Sequence, residues 1–113
     1  VLGHAGEEST ASIRERVVAA RERSAARWSR AGVRARSNRD VDSQVLRREF
    51  PADDAAMALL AAYLGNGDVS QRGVDRMLKL AWTIADLAGA SRPGLDHVAQ
   101  AFELHGAPVE VAA

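Results

Sequence analysis

Apolar residues recur at helical spacing through most of this chain. Ile13, Val17, Ala20, Ser24 and Trp28 share one stripe, which predicts a first helix over 12–30. Ser12 with Glu15 three residues on fits a capping box at its start, and Gly32 is a natural stop. The opposite face is almost all arginine. Residues 31–41, AGVRARSNRDV, have no period and several turn formers, and read as a basic loop. A short helix over 43–49 ends before Pro51, because the residue preceding a proline is pushed out of the α region. A third helix starts near Pro51 or Ala52, with Asp53 and Asp54 in its first turn, where the helix dipole favours anions. Its buried face is Ala56, Leu59, Leu60, Tyr63 and Leu64, and Gly65-Asn66-Gly67-Asp68 breaks the chain.

The longest pattern is VSQRGVDRMLKLAWTIADLAGA, residues 69–90. Ser70 reads as its N-cap and Gly89 as its C′ residue, with Val74, Met77, Leu78, Ala81, Ile84, Ala85 and Ala88 as the apolar face. After a turn at Pro93-Gly94, a fifth helix over 95–104 buries Leu95, Val98, Ala101 and Phe102. Residues 1–11 lack periodicity, and the tail GAPVEVAA looks frayed. No stretch reads as a strand. The expected fold class is all-α, a bundle of about five helices.

Composition narrows the function classes. The 113 residues suit one domain, rich in small alanine and poor in aromatics, which favours close-packed helices over a β-sandwich. With no cysteine, disulfides and thiolate zinc sites are excluded. No apolar run reaches membrane-spanning length, and the first residues lack the plan of a secretory signal. The first residue is valine, so the chain reads as a piece of a longer protein. Net charge is zero but segregated: residues 13–48 carry eleven arginines against four acids, while residues 49–113 carry four cations against nine acids. Such polarity points to docking on an anionic partner or on a neighbouring subunit.

Enzyme signals are poor. There is no glycine-rich phosphate loop, no H-E-x-x-H and no G-x-S-x-G. His4, His97 and His105 are scattered without metal-ligand spacing, and His97 fits a capping or packing role. Arg14, Arg21, Arg27, Arg30, Arg34, Arg36 and Arg39 form a candidate surface for nucleic acid, because phosphate contacts need clustered guanidinium groups. A solvated face balanced by Glu15 and Glu22, or a contact with the acidic half of another subunit, explains the same residues equally well. Arg72, one turn into the longest helix, lies where unsatisfied N–H groups and the helix dipole attract anions. An arginine at that position is otherwise simply solvated.

Two stretches carry a resemblance. Residues 12–48 are similar to a pattern of the magnesium-chelatase-like AAA+ family, matching at Arg14, Arg16, Val17, Ala20, Arg21, Arg27, Asn38, Leu46 and Arg47. Residues 69–104 resemble that family's L-S-x-R-G-x-D-R-x-L-R-x-A-R-T-I-A-D-L-x-G stretch through Ser70, Arg72, Gly73, Asp75, Arg76, Leu78, Ala81, Thr83, Ile84, Ala85, Asp86, Leu87 and Gly89, with His97 following. Lys79 and Trp82 stand where that pattern has arginines, Ser24 replaces a glutamine, and Gln100-Ala101 replaces an E-A pair.

The resemblance is to the YifB/ComM branch, and it implies a C-terminal helical lid over 12–105. Residues 1–11 would link it to an AAA+ core absent from this chain, with 106–113 a flexible tail. The family core binds ATP and Mg2+, assembles as a homo-oligomeric ring and acts on DNA in branch migration, in the cytoplasm and without a membrane. The resemblance thereby implies an ATP-hydrolysing parent, while this chain lacks the phosphate loop needed for catalysis alone. By the same resemblance Arg72 falls at the sensor 2 position, whose implied role is to touch the γ-phosphate of ATP, in its own subunit or, because the lid is displaced in this clade, in a neighbouring one. Arg76, one turn later, is the second candidate for that role.

Overall fold

The computed structural model describes residues 9–106. Within them the chain folds as five α-helices and one 3₁₀ turn: α1 (Thr10–Ala31), the turn Asn38–Asp40, α2 (Ser43–Glu49), α3 (Asp54–Gly65), α4 (Gln71–Ala88) and α5 (Leu95–Gly106). No strand occurs among the described residues. The all-α expectation holds. Residues 107–113 of the expected tail and 1–8 of the expected linker lie outside the described residues, whereas Gly106 closes α5 and residues 10 and 11 open α1.

Helix α4 is the spine. It packs on α5, α1, α2, α3 and the 3₁₀ turn, so nearly every element touches it. Its sequence explains why: Met77, Leu78, Ala81 and Ala85 recur at helical spacing and are fully buried. Ser70 accepts from the Gly73 N–H at 3.1 Å at its start. Gly89, at φ 76°, ends it in the left-handed region, which lets its N–H reach back to the last carbonyls. Gly73 permits a close approach as well. A Cβ there would stand 3.2 Å from both His105 Nε2 and Val69 Cβ, so a side chain would press on the end of α5.

The core joins Trp28 of α1, Leu46 of α2, Ala56 and Leu60 of α3, and Val98 and Ala101 of α5 onto α4. Each large apolar side chain so buried contributes about 1.5–3 kcal/mol. Trp28 meets Phe50 edge-on at 4.9 Å, and Tyr63 of α3 stacks on Phe102 of α5 at 4.1 Å. The Asp53 N–H donates to the Pro93 carbonyl at 2.9 Å, tying two connections together.

Several expectations are corrected. Helix α1 begins one turn earlier, because Ser9 rather than Ser12 is the N-cap and accepts from the Ser12 N–H at 3.0 Å. Helix α3 begins at Asp54, with Asp53 acting as the cap instead of a first-turn residue. Leu64 and Leu95 are exposed, since Tyr63 takes the inward position on α3 and Val98 with Ala101 takes it on α5. Ile13 is exposed too, and no α1 residue before Ala20 is buried. At α5, the Gly94 N–H donates to His97 Nδ1 at 2.9 Å, which is the capping role anticipated for that histidine.

Candidate functional site

The seam between α1 and α4 encloses a polar cluster. Arg27 of α1 forms an ion pair with Asp86 of α4, and the two side chains are only 14 and 2 % exposed. A second bond runs from Arg27 Nη1 to Asp86 Oδ2 at 3.2 Å. Asn38, on the 3₁₀ turn, completes the cluster. Its amide donates to Thr83 Oγ1 at 3.1 Å and to Asp86 Oδ2 at 3.0 Å, while its carbonyl oxygen accepts from Trp28 Nε1 at 3.0 Å. Arg23 donates to the Asp86 main-chain carbonyl. Among the described residues no buried side-chain polar atom lacks a partner.

Burial governs the charges in this cluster. It raises the Asp86 carboxyl above the ordinary carboxylate value, against the hydrogen bond from Asn38 and the charge on Arg27. It lowers Arg27 in turn, against the attraction of Asp86. Arg27 also lies over the Trp82 ring at 4.1 Å and beside the Trp28 ring at 5.0 Å, which spreads its charge over two π faces. Trp82 is 3 % exposed and donates Nε1 to the Phe50 carbonyl at 2.9 Å. Arg27 is therefore a structural centre and faces inward, unlike the other arginines singled out from the sequence.

Those others are exposed and scattered. Arg14 lies with Glu15 and Glu22 along the first half of α1. Arg21 stands over a small cleft of about 160 Å³ above Asn38, Thr83 and Asp86. Arg30 shares a groove with Arg23 and Ser91, and Arg34 and Arg36 flank another with Asp40. Arg39 is on the opposite side of its turn, near Arg76 and Lys79. The sequence places these residues in one basic block, but the fold distributes them over several surfaces.

On α4, Ser70 caps the helix and Arg72 is its second residue, exposed to solvent. No side chain among the described residues is paired with Arg72. Arg76 is exposed one turn later on the same side of the helix. Asp75 is occupied, by Arg47 at 3.2 Å and by the Gln71 amide at 3.2 Å. The helix start thus presents a guanidinium with no internal use.

The family profile described as magnesium chelatase, subunit ChlI C-terminal, matches residues 7–105. The chain belongs to this family. It is also similar to uncharacterized proteins of Mycobacterium tuberculosis and Mycobacterium bovis, each 48% identical over 95 residues. That stretch is 84% of this chain but 18% of each relative, so the chain spans under a fifth of their length. No solved structure matches.

In this family's domain, the motif residues divide by burial. Asn38, Thr83 and Asp86 are spent on the α1–α4 seam, and Gly73 on the contact with α5. Arg72 and Arg76 point away from all of that. The seam is hard to read from the sequence because Asn38 sits in an aperiodic stretch and Asp86 is a lone charge beside an apolar face. The available signal was spacing: Trp82 and Asp86 are one turn apart, and both lie on the buried side.

Proposed function

We propose that this chain is the C-terminal helical lid of a YifB/ComM-type AAA+ ATPase, in which Arg72 senses the nucleotide. The observation that carries the reading is the exposed, internally unused guanidinium at the second position of α4, within the family's S-x-R-G stretch. A planar fork at a helix start suits a phosphate, and it stabilises charge developing on a transferring phosphoryl group. Arg76 is the second candidate for the same role.

ATP and Mg2+ fit this chain only in part. Arg72 is an appropriate group for the γ-phosphate, whereas no cluster of His, Asp or Glu among the described residues is arranged to hold a metal ion. The metal and the phosphate-binding loop would belong to the AAA+ core that the resemblance implies. The lid's own contribution is one charge and a rigid mount for it. Coupling to DNA remodelling, a ring assembly and a cytoplasmic setting complete the proposal. Its test is Arg72→Ala in the full-length protein, measuring ATP turnover in the assembled ring. Turnover is expected to fall about tenfold or more. Turnover equal to wild type removes the proposal.

A second reading follows from the arginines on α1 and its following segment. Arg14, Arg21, Arg30, Arg34 and Arg36 remain exposed, which favours an autonomous nucleic-acid surface or a subunit contact. Binding to single- and double-stranded DNA over a salt series separates these, because phosphate contacts weaken steeply with salt. No binding at low salt eliminates the nucleic-acid reading.

A further inference from the structure

Three cations converge on a groove that the role of Arg72 does not use. Arg76 and Lys79 rise from the outward side of α4, and Arg39 of the 3₁₀ turn stands with them, with Leu80 and Thr83 completing the lining of about 440 Å³. Among the described residues no acid lines this groove. The acids closest in sequence are engaged elsewhere: Asp75 with Arg47, Asp40 with Ser37, and Asp86 with Arg27. Three like charges therefore share one concave surface with no counter-charge among the described residues, a field that an anion relieves.

The walls are set before any ligand arrives. Lys79 Nζ donates to the Arg39 carbonyl at 3.1 Å, bridging the two sides. Asn38, the residue before Arg39, is fixed by its bonds to Trp28, Thr83 and Asp86. Arg39 thus extends from an anchored backbone, and little main-chain ordering is left for binding to cost. Two guanidinium forks and an ammonium are the groups that grip phosphate oxygens, by paired hydrogen bonds and by point charge.

We propose that Arg39, Arg76 and Lys79 form a phosphate-binding groove on the outer side of α4, taking a phosphate of a nucleotide or of a nucleic-acid strand. The site is separate from Arg72 and does not depend on it. It groups Arg76 with Arg39 and Lys79, and it joins two arginines that the sequence places 37 positions apart.

The test is a nuclear magnetic resonance titration of the isotopically labelled 113-residue chain, at ionic strength held constant with sodium chloride. The probes are inorganic phosphate, ATP without metal, and a short oligothymidylate. Shifts are expected at residues 38–40 and 76–83 with phosphate-bearing probes and not with chloride. Arg39→Gln and Arg76→Gln should each weaken binding about tenfold, as loss of a charge-assisted hydrogen bond does. Arg76→Lys should restore part of it, and Arg92→Gln should change nothing. Tighter binding of ATP names the nucleotide as the source, and tighter binding of the oligonucleotide names the strand. Absence of localised shifts with all three probes, equal shifts with chloride, or full binding by the Arg39→Gln/Arg76→Gln double variant overturns the groove. ATP turnover by the Arg72→Ala ring is a separate measurement, so either reading can fail alone.

Discussion

Asn38 donates to Asp86 at 3.0 Å, joining positions 48 residues apart in the chain. Through this bond the arginine-rich connection after α1 becomes part of the α1–α4 seam. The turn is fixed there, while Arg34, Arg36 and Arg39 keep their side chains exposed.

Removing that amide should be felt at once. Asn38→Ala leaves the buried Trp28 indole N–H without its acceptor and takes one hydrogen bond from Asp86, which keeps those from Arg27. The orphaned indole costs about 1–3 kcal/mol and the lost hydrogen bond about 1 kcal/mol more, so a loss of roughly 2–4 kcal/mol is expected. Chemical denaturation followed by circular dichroism measures it, and a change below half a kcal/mol would show the turn to be dispensable.

The ion pair beneath it has a different signature. Asp86→Ala or Arg27→Ala alone should destabilise by about 3–5 kcal/mol, because each strands an opposite charge in the interior. Arg27→Met with Asp86→Leu should be milder than either single change, since no buried charge remains. The same unfolding measurements decide the ranking. A double variant worse than both singles would mean that the charges themselves carry the fold.

The pH dependence has a definite sign. With its carboxyl raised by burial, the folded chain retains a proton that the unfolded chain, near its ordinary value of about 3.9, has already released. Asp86 therefore favours folding most below that ordinary value, and its contribution falls as pH rises through the raised one. Compared with Asp86→Asn, wild-type stability should decline across the mildly acidic range and then run parallel. A wild-type advantage that grows with pH over that range would contradict the sign.

Trp82 occupies a place where the resembling pattern has arginine. Trp82→Arg would put a second guanidinium against Arg27, in a position 3 % exposed, and would remove the donor to the Phe50 carbonyl. A loss of about 3 kcal/mol or more is expected from the buried like charge and the missing ring. Trp82→Phe should cost about 1 kcal/mol, mainly the hydrogen bond. Melting temperatures rank the three proteins, and an arginine variant as stable as wild type would show that the seam adapts.

Helix identity was legible because burial writes a period into the sequence. Residues 71–88 were readable at both ends, where Ser70 and Gly89 are suited to caps by side-chain oxygen and by positive φ. The start of α1 was not, since Ser9 and Ser12 are equally able to cap and Glu15 favoured the wrong one. Leu64 and Leu95 were misplaced because a terminal turn has an inner residue that periodicity alone cannot choose. The exposed arginine at Arg72 was visible as a position on a helix. The groove was not, because it joins α4 to a turn whose place depends on Asn38 finding Asp86.

Trp28 and Trp82 are the two tryptophans of the chain, and their rings lie 6.2 Å apart at the same seam. All indole emission therefore originates at the contact of α1, α4 and the Asn38 turn. A slip of α1 along α4 would change the distance from Trp82 to Arg27 and the bond from Trp28 to Asn38, and with them the colour and intensity of the emitted light. The protein carries a built-in optical reporter of that joint, readable without a label.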